Sequence, residues 1–105
     1  MWVNFVDGRE RLELGNAASI TLIPHPVPGH FFVHVNSRCP RDPGQPGPCV
    51  AIANSREQAR CEGLRSARHA LRDALAETEA LFEEAERDLV RATLRSPAPR
   101  QAGSL

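Results

Sequence analysis

The sequence predicts an α+β fold: an antiparallel meander of four or five strands, then one long C-terminal amphipathic helix packed on one sheet face. Three observations predict it. Short apolar runs separated by turn signals fill residues 1–53, residues 56–95 contain no Pro and a single Gly, and apolar residues recur there at helical spacing. Because 105 residues suffice for one domain, we expect a single domain over residues 1–95.

The first two strands are predicted to form a hairpin. Residues 1–6 and 9–14 flank Asp7-Gly8, a strong signal for a two-residue turn. Such a turn would pair Phe5 with Glu10. It would also place Val3, Phe5, Leu12 and Leu14 on the core face and leave the polar residues on the other face.

Three more strands are expected at residues 17–23, 30–36 and 49–53. Gly15-Asn16 is the turn before the first of them, and the proline-rich residues 24–29 form the loop after it. Residues 37–48, with four Pro and two Gly, are expected to form a long exposed loop.

The helix is expected from about residue 56 to about residue 95. Ser55 is a suitable N-cap, and Gln58 three residues later completes a capping box. Ser96-Pro97 ends the helix, and residues 96–105 are expected to be a disordered tail. Residues of the segment Leu64 to Leu75 are expected to close the core of the sheet.

The helix is too long for its sheet. Forty residues span about 60 Å, whereas five strands span about 20–25 Å. The distal apolar stripe therefore predicts an interface, for which a homo-oligomer, a dimer above all, is the favoured occupant; a second protein, or a break that folds the helix back on itself, is the alternative. The predicted interface residues are Thr78, Leu81, Phe82, Ala85, Leu89 and Ala92.

Charge is segregated along the helix. Residues 56–72 carry five Arg against two Glu, whereas residues 73–88 carry seven acidic residues against one Arg. Two antiparallel helices would set the basic segment of one beside the acidic segment of the other, although a solvated outer face is the simpler explanation.

Each charged segment also suggests an alternative function. Arg65, Arg68, His69 and Arg72 could bind phosphates, which would make the protein a nucleic-acid-linked regulator, with Phe32 and His34 stacking bases. The zero net charge of the chain and the adjoining acidic segment disfavour nucleic acid. The acidic face could instead mimic a phosphate track and inhibit a basic partner, as phage anti-defence proteins do. It comprises Asp73, Glu77, Glu79, Glu83, Glu84, Glu86 and Asp88.

Catalysis and metal binding find little support in the sequence. Cys61 and His69 lie about 12 Å apart along a helix, too far to form a catalytic pair. No Cys-x-x-Cys spacing occurs, and the one His-x-x-x-His spacing, His30 to His34, lies in a predicted strand and not on a helix, so no metal and no cofactor are expected. The odd number of cysteines favours free thiols, and a reversible Cys39–Cys49 disulfide is a stronger alternative than zinc.

No apolar run is long enough to cross a membrane, and the N-terminus lacks the pattern of a signal peptide. We therefore expect a soluble, cytoplasmic protein, a bacterial or phage accessory protein without enzymatic activity. All thirteen basic residues are Arg, for which codon bias in a GC-rich genome is the favoured explanation and selection for planar, bidentate donors the alternative.

Overall fold

The computed structural model describes residues 1–38, 41–42 and 44–95 and confirms the α+β fold. The elements are β1 (Val3–Asn4), β2 (Glu10–Leu14), β3 (Ala18–Pro24), β4 (Phe31–Asn36), β5 (Cys49–Ala53) and α1 (Arg56–Arg95). The strands pair in chain order and each pair is antiparallel, so the sheet is the expected meander. The expected tail, residues 96–105, lies outside the described residues.

The chain divides into two compact units, Met1–Arg72 and Asp73–Leu105, and the boundary falls within α1. The first unit contains the sheet and the beginning of α1. Of the second unit the structure describes residues 73–95, which are helical throughout. The single domain over residues 1–95 stays a prediction.

The predicted register of the first hairpin is wrong by one residue. The Phe5 N–H donates to the Arg9 carbonyl oxygen at 2.8 Å, so the loop has three residues, 6–8. A two-residue type I′ turn needs positive φ at both Asp7 and Gly8. Among the described residues only glycines have positive φ, and here it is Gly8 with φ 90°.

This one-residue shift exchanges the faces of the N-terminal strand. Val3 and Phe5 face outward with 55% and 48% of their surface exposed, contrary to the prediction that both lie in the core. Trp2 instead packs against the core.

The centre of the sheet is buried on both faces. In β3, Ile20 and Leu22 face α1, whereas Ser19 and Thr21 point to the other side, and all four are buried. The core consists of these inner positions together with Leu12, Phe31, Val33 and Val35.

The part of α1 that packs on the sheet presents small residues. Ala59, Gly63 and Ala67 are its buried positions, and a Cβ at Gly63 would overlap Cγ2 of Ile20. The helix therefore approaches the sheet closely. Leu64 and Leu75, the ends of the segment expected to close the core, are 44% and 60% exposed, so that prediction is wrong at both positions, whereas Ala67 between them is buried.

The first turn of α1 has the predicted cap. The Gln58 N–H donates to Ser55 Oγ at 3.1 Å, and Gln58 Oε1 accepts the Asn54 N–H at 3.2 Å. These bonds satisfy two backbone donors that the helix itself leaves without partners.

The described residues of the segment 37–48 are held against the sheet. Asn36 Nδ2 donates to the carbonyl oxygens of Asp42 and Gln45, at 3.3 and 3.0 Å. Gly47 adopts φ +79° and lies so close to Asn36 that a Cβ would stand 2.9 Å from Asn36 Cα. A loop expected to be merely exposed is thus fixed at several points.

Candidate functional site

The predicted interface lies in the second unit, on the distal part of α1. Every residue from Arg72 to Arg95 is exposed. The large residues of the stripe are among the most exposed apolar side chains described: Leu81 is 60%, Phe82 67% and Leu89 68% exposed. Thr78, Ala85 and Ala92 complete the stripe and are exposed as well.

A heptad spacing relates these residues. Leu75, Phe82 and Leu89 recur every seven residues and occupy position a, while Thr78, Ala85 and Ala92 occupy position d. Large side chains thus alternate with small ones along the stripe, which we call the seam. Within the first unit, Leu64 and Leu71 continue position d, Cys61 and Arg68 continue position a, and none of the four is among the buried residues of α1.

The predicted acidic face is exposed in full. Its seven carboxylates all belong to exposed residues of α1, and Asp88 forms an ion pair with Arg91 at 3.0 Å. The anion-binding candidates Arg65, Arg68, His69 and Arg72 are exposed in the first unit. Arg65 Nη1 lies 3.3 Å from Glu62 Oε1, so a carboxylate shares part of this basic surface.

The strongest electrostatic feature was not foreseen from the sequence. Glu10 is wholly buried, and two arginines of α1 hold its carboxylate. Arg60 donates to Glu10 Oε1 from Nη2 at 2.6 Å and from Nε at 3.0 Å. Arg56 Nε stands 2.7 Å from Glu10 Oε2, as an ion pair without hydrogen-bond alignment. These contacts fix the start of α1 to β2.

Aromatic rings complete this arrangement. The Arg56 guanidinium lies 5.4 Å from the centroid of Phe31, and that of Arg60 lies 5.3 Å from the centroid of Trp2. Both guanidiniums thus pair with the same carboxylate and lie over aromatic rings, an arrangement that we call the Glu10 brace. One signal was available: Glu10 alternates with Leu12 and Leu14, so it belongs to the core face.

A second ion-pair cluster lies on the outer face of the sheet. Arg11 Nε contacts Glu13 Oε2 at 2.7 Å, and Arg41 Nη1 contacts Glu13 Oε1 at 2.9 Å. Burial by itself would raise the pKa of Glu13, but the hydrogen bonds and charges of Arg11 and Arg41 outweigh it. The pKa of Glu13 therefore lies below its ordinary value.

Three histidines lie close together on the same outer face: His25, His30 and His34. Each has a ring nitrogen within hydrogen-bond distance of a backbone atom in a loop. His25 Nδ1 accepts the Val27 N–H at 3.0 Å, and His34 Nδ1 lies 2.9 Å from the Gly47 carbonyl oxygen. The His25 ring packs 4.7 Å from the ring of Phe32. Phe32 and His34, the candidates for base stacking, thus belong to an aromatic cluster that supports the loops.

Within residues 1–38, 41–42 and 44–95, no three His, Cys, Asp or Glu side chains lie close enough together to hold a metal ion. Cys49 and Cys61 are free and exposed thiols. Cys39 lies outside the described residues, so the Cys39–Cys49 disulfide stays a prediction. In the described part of the chain, no helix combines the length and apolarity that crossing a membrane requires.

Comparison of the chain with protein-family models, with curated proteins and with solved structures found no significant match.

Proposed function

We propose that this protein is a non-enzymatic protein–protein interaction module that self-associates through the seam of α1. The observation that carries the proposal is the exposure of the seam. Leu75, Phe82 and Leu89 leave 60% or more of their surface in water. Burying such a side chain completely stabilises a complex by roughly 1.5–3 kcal/mol.

The state of the distal helix supports the same conclusion. Residues 73–95 are all exposed, so burial contributes little to holding them helical. In proteins, most of the stability of a helix comes from tertiary packing of its apolar face and not from helix propensity. Pairing along the seam would supply the missing packing, and helix content would then depend on protein concentration.

The direct test changes the seam and measures the mass in solution. Phe82→Glu with Leu89→Glu introduces two carboxylates per chain into the seam, so we expect the mass to fall from that of a dimer to that of a folded monomer. Light scattering coupled to size exclusion measures the mass, and circular dichroism at 222 nm measures helix content on dilution.

A matched control places the same two charges elsewhere on the same helix. Ala80 and Leu94 are exposed and lie off the seam, at heptad position f. Ala80→Glu with Leu94→Glu should leave the mass of the dimer unchanged. The proposal is wrong if the unaltered chain is a monomer throughout the micromolar range, or if the seam variant keeps the mass of the unaltered protein.

A further inference from the structure

Resting on the proposed self-association, we infer a specific arrangement for it: two copies pair antiparallel along α1, with the two-fold axis between Ala76 and Glu77. In this register Leu64 of one copy faces Leu89 of the other, Leu71 faces Phe82, and Leu75 faces Thr78. The overlap then covers residues 61–92 of each copy.

The sheet leaves room for this overlap. The buried positions of α1 in the first unit are Ala59, Gly63 and Ala67. Leu64 is 44% exposed, and Cys61 and Arg68 are exposed too, so the basic half of the seam is open to a partner. Arg68 is the one charged residue at a core position of the seam, and this register sets its long side chain opposite the small Ala85.

Charge complementarity selects this register. In an antiparallel pair, the residues at position e of the two helices lie side by side. Here Arg65 meets Glu86 of the second copy and Arg72 meets Glu79, and two-fold symmetry produces each pair twice. Arg60, which would approach Arg95 on the other flank, is already held by Glu10.

The competing arrangements have fewer of these contacts. Moving the register by one heptad, so that Leu89 faces Leu71, sets Arg72 beside Glu86 but leaves Arg65 without an acidic partner at position e and brings Glu79 beside its own symmetry mate. Moving it by two heptads, so that Leu89 faces Thr78, brings Glu79 beside Glu86 and shortens the overlap to residues 75–92. A parallel pair sets residues 56–72, with five Arg against two Glu, beside themselves, and also sets the acidic residues 73–88 beside themselves. Such like-charge contacts are destabilising.

Disulfide trapping tests the register. The full chain, with Cys39, Cys49 and Cys61 replaced by Ser, carries Leu89→Cys in one preparation. A second preparation, distinguished by an affinity tag, carries Leu64→Cys, Leu71→Cys, Thr78→Cys or Leu89→Cys. Each pair is mixed and equilibrated in a glutathione redox buffer, and mixed disulfides are quantified by non-reducing electrophoresis.

We expect the mixture of Leu89→Cys with Leu64→Cys to give the largest yield. A larger yield with Leu89→Cys itself would show a parallel pair, and a larger yield with Leu71→Cys or Thr78→Cys a shifted register. Either result overturns the inference, as does a dimer by mass that forms no disulfide in any mixture. A monomer by mass overturns the proposed function instead, so the two failures are distinguishable.

A charge exchange tests the same register without cysteine. Arg65→Glu with Arg72→Glu turns four attractive pairs into four repulsive ones and should raise the dissociation constant of the dimer about tenfold or more. Adding Glu79→Arg and Glu86→Arg in the same chain restores all four pairs and should return the constant to within about threefold of its original value. Failure of the second exchange to rescue the first contradicts the antiparallel register.

Discussion

Removing either side of the Glu10 brace should have unequal effects on stability. The Glu10 side chain is 1% exposed, whereas the side chains of Arg56 and Arg60 are 46% and 37% exposed. When Glu10 is replaced by Leu, both guanidiniums can turn into water. When Arg60 is replaced by Met, the carboxylate stays buried with no hydrogen-bond donor and only the ion pair with Arg56.

The magnitudes follow from these exposures. Leaving a buried charge without its partner costs about 3–5 kcal/mol, whereas replacing the buried charge by an apolar residue of similar volume is often close to neutral. Because Arg56 still faces the carboxylate, we expect Arg60→Met to lower the free energy of unfolding by about 2–4 kcal/mol. Glu10→Leu should lower it by about 1 kcal/mol or less.

Urea unfolding measures both variants, and Trp2 is a natural probe because it is the one tryptophan of the chain and the Arg60 guanidinium stacks on it. The measurements belong in the Phe82→Glu/Leu89→Glu background, so that dissociation of copies does not contribute to the free energy. Loss of the Arg60–Trp2 stacking could change the Trp2 fluorescence without unfolding. Circular dichroism, which follows the helix content independently of Trp2, distinguishes the two effects. Equal losses in the two variants, or a larger loss for Glu10→Leu, would refute the reasoning.

Three further changes test other parts of the structure. Gly63→Ala should gain about 1 kcal/mol of helix propensity but lose about 1–3 kcal/mol through overlap with Ile20, giving a net loss in thermal unfolding; a stabilised protein would contradict the close packing. For Glu13, whose pKa is lowered in the folded state, the ion pairs stabilise the fold above the unfolded value of about 4.5, and this contribution disappears as the pH falls through the folded pKa. The free energy of unfolding of the unaltered protein should exceed that of Glu13→Gln by about 1 kcal/mol at most, because the carboxylate is so exposed. In urea unfolding at a series of pH values, this difference should be constant near neutrality and shrink below pH 4.5. A constant difference down to about pH 3 would contradict the prediction. Phe5→Ser should cost under about 1 kcal/mol because Phe5 faces outward, whereas Trp2→Ser should cost about 2 kcal/mol or more, and the reverse order would favour the two-residue turn.

Local signals in the sequence predicted the helix and the meander well. The Ser55–Gln58 cap places the start of α1 at Arg56, as observed, and the absence of Pro from residue 56 to residue 96 agrees with a helix that continues to Arg95, the last described residue. These signals are local because capping and proline act on the adjacent backbone.

The errors arose where distant contacts decide the structure. Asp7-Gly8 is compatible with a two-residue turn after Val6 and with a three-residue loop after Phe5. These two alternatives place the residues of the N-terminal strand on opposite faces of the sheet. The pairing of Glu10 with Arg56 and Arg60 joins residues some fifty positions apart, and no periodicity of β2 or α1 indicates it. The candidate interface was found from spacing alone, and its occupant stays a proposal.

Different residues of α1 contact the sheet and form the seam, and this separation affects which substitutions the protein can accept. The contacts of α1 with the sheet are made by the buried Ala59, Gly63 and Ala67 and by the ion pairs of Arg56 and Arg60 with Glu10, whereas Phe82 and Leu89 are exposed and lie outside the core. If copies pair along the seam as proposed, substitutions at Phe82 or Leu89 would therefore alter the choice of partner and leave the core of the first unit unchanged. Duplicated copies of this chain could in this way acquire separate pairing preferences while keeping the same sheet.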